Sequence, residues 1–261
     1  MLAMESDPKV LEEEAYSFLA ENKYEEAFRF FKRAARSYQA QSNHKQAALC
    51  FSSAASCWSR RSGEETFYNA ASSYRIAAKE AEKSRDYEYA SLLYRYAAIN
   101  FERDREYHKF SESFYLSKDC ERKFLFYRLF LPRKINTITQ SQYESGPKGI
   151  LKSIFVFFVL SFSYLIWGYG EKPLRTFFAS LGIVTLAGLL YTGGELLSSG
   201  MVIKPSFFEA FYFSVITFTT VGFGDIIPVG ISKCIVILES LCGVFFMPLF
   251  VIGLSRKYLR I

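Results

Sequence analysis

Alanine and aromatic residues fall in a fixed order along the first half of the chain. The pattern Ala-x3-aromatic-x2-Ala-Ala occurs at Ala27, Phe31, Ala34, Ala35; at Ala47, Phe51, Ala54, Ala55; at Ala70, Tyr74, Ala77, Ala78; and at Ala90, Tyr94, Ala97, Ala98. Each set lies at i, i+4, i+7 and i+8, the apolar stripe of a helix. The sets recur after 20, 23 and 20 residues. A further aromatic follows at Tyr38, Trp58 and Phe101, and polar breaks such as Gln41-Ser42-Asn43, Ser62-Gly63 and Ser84-Arg85-Asp86 separate the stripes. The pattern predicts one helix of about four or five turns per repeat, each stacked on the next. Alanine lets the backbones approach and the ring fills the gap beside it.

The pattern changes beyond residue 150. Residues 154–167 are almost wholly apolar but number only 14. Spanning a bilayer takes about 20 residues, so this run predicts an interfacial or re-entrant helix within 151–170. It ends in Trp167-Gly168-Tyr169-Gly170-Glu171-Lys172-Pro173, and Trp and Tyr favour the headgroup level. Residues 174–193 and 231–254 are long enough to cross. Between them, Pro205-Ser206 followed by Phe207–Phe218 predicts a short helix with Pro in its first turn and Glu209 near its positive end. Pro132 stops the helical pattern before a polar linker. The fold class is therefore all-α. The expected domains are a helical repeat over 1–132, a linker over 133–150, the apolar helix over 151–170 and a membrane domain over 171–261.

Composition sharpens this division. Half of the residues are apolar and 18% aromatic, with Phe, Leu, Ile, Val and Gly concentrated in the last 110 or so. The net charge of +6 is scattered, so no nucleic-acid surface is expected. Five cysteines without CxxC spacing read as reduced thiols. The first 20 residues are acidic and broken by charge, so no signal peptide is expected. His44 and His108 have no partners at ligand spacing. No nucleophile–base or metal cluster suggests an enzyme or a cofactor.

The segment Thr217-Phe218-Thr219-Thr220-Val221-Gly222-Phe223-Gly224-Asp225 fits neither a helix nor an ordinary strand. Glycine adopts left-handed φ at no steric cost, and alternating handedness aims successive carbonyls at one axis. Thr220-Val221-Gly222-Phe223-Gly224 resembles the selectivity filter of potassium channels, which commonly reads TVGYG. Phe223 stands where Tyr is commoner, without its hydroxyl. With its flanks, the segment resembles the two-helix pore module of that family: outer helix, pore helix, filter, inner helix.

The resemblance implies a homotetramer that passes K⁺ down its gradient, with K⁺ as permeant ion and not cofactor. Thr220, Val221, Gly222 and Phe223 would contact the ion, Gly224 would shape the outer turn, and Asp225 would lie at the outer mouth. Tyr212 and Phe213 match the aromatic cuff, and Ile216 stands where some members carry a bracing Glu. Gly243 matches the glycine at which inner helices bend, or else serves close packing. Pro248 is a second expected bend. Glu239, an acid in an apolar helix, is either functional or bonded to a neighbouring helix.

The pore resemblance also implies a cytoplasmic C-terminus, in keeping with the basic tail Arg256-Lys257-Tyr258-Leu259-Arg260. No helix with an Arg at every third position suggests a voltage sensor, and no strand–helix alternation follows the pore. Residues 12–118 resemble the tetratricopeptide-like superhelix, especially that of soluble NSF-attachment proteins. That likeness implies a domain that binds a protein or peptide partner on a concave face. With residues 154–167 at the inner interface the domain is expected in the cytoplasm, and as the only candidate regulator it is expected to modulate gating.

Overall fold

The computed structural model describes residues 7–61, 66–131 and 146–258. Ser62-Gly63, Pro132, the linker up to residue 145, and Leu259 and Arg260 of the basic tail lie outside these residues. The chain divides into two compact units, Met1–Phe162 and Ser163–Ile261.

The first unit holds six helices in series: α1 (Pro8–Ala20), α2 (Tyr24–Ala40), α3 (His44–Arg60), α4 (Thr66–Lys83), α5 (Tyr87–Arg103) and α6 (Tyr107–Phe130). Each packs chiefly on its neighbours in sequence, as a linear repeat must. Every residue of the four stripes is buried except Tyr74, which is half-buried.

The turns repeat as faithfully as the stripes. Asn22, Ser42, Arg85 and Arg105 each take left-handed φ, between 58° and 61°. The next N–H reaches back five residues, as from Asn43 to the Tyr38 carbonyl and from Asp86 to that of Ala81, both 2.9 Å. This is the Schellman closure of a helix C-terminus. At the following helix, the side chains of Asn43 and Asp86 accept from the amides of Gln46 and Tyr89. One three-residue break thus stops one helix and starts the next.

Polar ties cross the stack. Buried Glu80 accepts from Gln39 Nε2 at 2.8 Å and Lys83 Nζ at 2.7 Å, and meets His44 Nδ1 at 2.8 Å. His44 is therefore not isolated, contrary to its expected isolation: helix stacking supplies a partner 36 residues away. Cys50, Cys57 and Cys120 are buried free thiols. Burial, with Glu12 nearby, pushes the Cys50 thiol up to about 12.

The helix α7 (Pro147–Trp167) runs 21 residues without a break, and the division between units falls inside it. The helix expected within 151–170, from an apolar run of 14 residues, starts four residues earlier. The helix begins at Pro147 and carries Lys148 and Lys152 within its first two turns. Pro147–Gly170 is long and apolar enough to cross a membrane, as are α8 (Pro173–Thr192) and α10 (Ser232–Tyr258).

The second unit also contains an unexpected small sheet. Strands β1 (Glu195–Ser198), β2 (Met201–Ile203) and β3 (Ile226–Val229) pair antiparallel in the order β2-β1-β3. Ser199 and Gly200, at φ 52° and 79°, form the two-residue turn that suits a twisted hairpin. Pro228 sits on the edge strand β3, where its missing N–H is tolerated. The helix α9 (Phe207–Phe218) occupies the expected residues and packs against α8 and α10.

Candidate functional site

The site is built on α9. Ser206 caps it: the Ser206 hydroxyl accepts from the Glu209 amide, and the Glu209 carboxylate accepts from the Ser206 amide at 2.8 Å. This capping box is legible as Ser-x-x-Glu. It corrects the position expected for Pro205, which lies before the cap and not in the first turn. Serine can accept the helix's free amide and proline offers no such acceptor. Glu209 stands at the positive end of the helix, as expected, and the bonds from Ser206 hold its carboxyl below the usual range.

At its other end α9 closes on Thr219, whose hydroxyl donates to the Val215 carbonyl at 2.7 Å. The chain then enters residues 220–225. Thr220, Gly222 and Gly224 have φ of 60°, 49° and 80°, while Val221 and Phe223 between them keep negative φ. The amides of Val221 and Gly222 both point back to the Ile216 carbonyl, at 3.0 and 3.2 Å. Residues 220–225 are all exposed, and a Cβ added at Gly222 or Gly224 would meet nothing within 4 Å. The Val221 and Phe223 side chains are exposed.

The far end of the segment is anchored twice. Tyr212 Oη donates to Asp225 Oδ2 at 2.9 Å, and Ile226 enters the sheet opposite Ser198. The expected aromatic pair therefore divides: Tyr212 reaches the acid after the segment, whereas Phe213 is buried against Tyr191, centroids 5.0 Å apart. Successive residues on a helix point about 100° apart, which separates them. Ile216 is buried and lends only its carbonyl.

Small residues bring the helices of this unit close to one another. A Cβ at Gly243 of α10 would strike the Phe218 carbonyl oxygen and lie 2.9 Å from its carbon. A Cβ at Gly188 of α8 would lie 3.4 Å from Phe211 Cα, and one at Gly253 would lie 3.2 Å from Pro173 Cβ. Close packing at Gly243 is therefore a direct observation, and α10 is continuous through both Gly243 and Pro248. Glu239 is bonded to neighbouring helices: it accepts from Tyr191 Oη at 2.7 Å and contacts Ser214 Oγ.

Cations gather at one end of this unit. Arg175 Nη1 donates to the Tyr164 carbonyl at 2.7 Å and its guanidinium lies over the Tyr164 ring. Arg256 of α10 approaches Gly170, whose Cβ would lie 3.0 Å from its Nη1. Lys172 lies three residues before Arg175, and Lys257 directly follows Arg256.

Two features of the site escaped the sequence reading. The sheet anchor had a signal in Ser199-Gly200 between apolar pairs, and the Ser214–Glu239 contact had none, because 25 residues separate its members. Residues 177–259 match the family Ion_trans_2, described as ion channel, which covers less than half of the chain. Together with the apolar helices α7, α8 and α10, that match supports a membrane-embedded ion channel domain in this part of the chain. Searches of curated proteins and of solved structures find no match.

Proposed function

We propose that the chain is one subunit of a potassium-selective channel. Four copies bring residues 220–224 around a common axis, and the carbonyls of Thr220, Val221, Gly222 and Phe223 replace the ion's water shell. The observation that carries this reading is the alternation of φ at Thr220, Gly222 and Gly224, with the Val221 and Gly222 amides turned back to Ile216. Amides directed to one side leave carbonyls for the other. A lone segment exposed on all but one side cannot enclose an ion, which supports the tetramer. Gly224 shapes the outer turn, and Asp225, tied to Tyr212, stands at the outer mouth.

The tetratricopeptide-like repeat unit is the modulator in this reading, and a protein or peptide docks on it. It and the C-terminus lie in the cytoplasm. The gathering of Arg175, Arg256, Lys172 and Lys257 at one end supports an inward face there. Helix α7 is the test of this topology. If it crosses, the repeat unit is outside; if it lies along the inner interface, the unit is in the cytoplasm. Lys148 and Lys152 in its first two turns favour the interface. Native Cys50 and Cys57 are buried and poor reporters, so exposed Glu13 should be replaced by Cys. Labelling of that thiol by an impermeant reagent in intact cells would overturn the cytoplasmic placement.

The main test is potassium flux in liposomes carrying purified protein, with and without residues 1–132. Flux that prefers potassium over sodium supports the pore. Altered gating without the repeat unit supports modulation, and identical gating makes that unit a tether.

A further inference from the structure

Three buried side chains in the second unit pose a problem of proton counting. Glu239 of α10 is 3% exposed, and Tyr191 of α8 and Ser214 of α9 are fully buried. Tyr191 Oη lies 2.7 Å from Glu239 Oε2. Ser214 Oγ contacts Glu239 Oε1 and lies 2.8 Å from the Val184 carbonyl oxygen of α8. A carbonyl and an ionised carboxylate only accept, and a serine hydroxyl has one proton. With Glu239 ionised, that proton would have to serve two acceptors on different helices, one of them a buried charge. Burying a charge without a cation partner is costly, and among the described residues no cation pairs with Glu239.

One added proton resolves the count. Glu239 Oε1–H donates to Ser214 Oγ, Ser214 O–H donates to the Val184 carbonyl, and Tyr191 O–H donates to Glu239 Oε2. Each proton then has one acceptor and each oxygen is used. We propose that Glu239 carries this proton and is the positioning residue that ties α10 to the pore helix α9 and the outer helix α8. Its functional side rests on the channel reading. Ser214 lies two residues before Ile216, whose carbonyl holds the Val221 and Gly222 amides. The chain of bonds therefore fixes the helix from which the filter segment hangs.

The surroundings leave Glu239 as the group that titrates here. From α8 it faces Tyr191, and α9 presents Ser214, which does not titrate. β3 (Ile226–Val229) has no titratable side chain. Tyr169, in the turn Gly168–Gly170 that packs on α10, lies against Tyr164 near the Arg256 end. Glu195 of β1 meets α10 through its carbonyl, which accepts from Ser232, and its side chain is exposed. On α10 itself, Lys233, Cys234 and Cys242 are the nearest ionisable residues in sequence. Loss of the proton leaves Ser214 one donor short and places in the bundle a charge held by Tyr191 alone, so α9 loosens as pH rises.

Infrared difference spectroscopy on the full-length protein tests the proton without any need for flux. A protonated-carboxyl band should be present at neutral pH, vanish in Glu239→Gln, and shift in Ser214→Ala, which keeps the acid and removes one partner. A neutral-pH spectrum with no such band lost in Glu239→Gln overturns the proposal. Potassium flux in liposomes tests the positioning role. Wild-type flux should fall by about tenfold per pH unit once the proton is released. In Glu239→Gln an amide N–H occupies the proton's place, so flux should be insensitive to pH over the same range. Equal pH profiles for the two proteins overturn the positioning role. If neither protein passes potassium, the channel reading fails while the infrared band still reports the proton.

Discussion

The two units use helices of similar length and solve opposite burial problems. In the repeat unit the large side chains Phe31, Tyr94 and Phe101 are under 2% exposed, closed off by neighbouring helices of the same chain. In the second unit Leu165, Phe178 and Phe245 are 64–70% exposed. Their cover has to come from lipid or from other subunits. The small residues at the contacts differ in the same sense. The buried stripes of α2 to α5 carry Ala, and the membrane unit brings its helices together at Gly188, Gly243 and Gly253. In water a helix must hold its own backbone, and Ala favours that by about 1 kcal/mol over Gly. In lipid an unfolded backbone has nothing to bond to. Helix propensity then matters less, and the closest backbone approach matters more.

Left-handed residues offer the sharpest way to break this comparison. Ser42 in a repeat turn has φ 58°, and Gly222 has φ 49°. Both positions are open, so a side chain meets no steric wall. Left-handed backbone with a Cβ costs about 1–2 kcal/mol, which one exposed turn absorbs. In a filter that cost falls on every subunit at the ion's own ligands. Gly222→Ser should abolish potassium selectivity, read as a reversal potential in mixed potassium and sodium. Ser42→Gly should leave it untouched. An unchanged reversal potential in Gly222→Ser would remove the filter reading.

The contrast also explains what was legible. The stripes, the extent of α9 and the residues of segment 217–225 were open to reading because each is a local pattern of spacing. Three things were not. The length of α7 was underread because Lys148 and Lys152 sit inside its first two turns, and a charge there looked like the end of the run. The three strands are each four residues or fewer, too short for a period to show. The Tyr191–Glu239–Ser214 tie joins three helices, and no spacing along one helix announces it. The buried acid itself was visible, but its partners were not.

Core truncation should separate the units next most strongly. Phe31 is fully buried, its ring edge-on to Tyr16 at 5.0 Å. Phe31→Ala should destabilise the repeat unit by about 3–5 kcal/mol in urea unfolding followed by circular dichroism. Phe178→Ala, on an exposed face, should change the second unit's own stability by less than about 0.5 kcal/mol. A loss of self-association in Phe178→Ala would identify that face as a contact between copies of the chain instead of a lipid face.

Gly243→Ala comes third. Its Cβ would strike the Phe218 carbonyl oxygen, so α9 and α10 must part. Overpacking of this kind costs about 1–3 kcal/mol, and the mutant should lose thermal stability and open probability together. If open probability falls with stability unchanged, bending at Gly243 governs the effect and not packing.

The smallest effect compares two buried acids. Glu80 in the stack has Lys83, His44 and Gln39 as partners, whereas Glu239 has two hydroxyls. Burial alone would raise the Glu80 carboxyl, but the bonds from Lys83, His44 and Gln39 outweigh it and hold it below its ordinary 4.5. A carboxyl depressed in the fold contributes stability that is fully present above its unfolded value. That stability is lost as pH falls through the folded value. Glu80→Gln should therefore weaken the repeat unit at neutral pH, and the gap from wild type should close on acidification well below 4.5. Glu239→Gln should open no such gap in the second unit at neutral pH, because there the amide replaces a neutral acid. Urea unfolding of both mutants at neutral and acid pH checks the pair. A gap for Glu80→Gln that does not change with pH would mean the carboxyl acts by packing alone. A large neutral-pH loss in Glu239→Gln would mean that both acids are ionised, and the electrostatic difference between the two units would disappear.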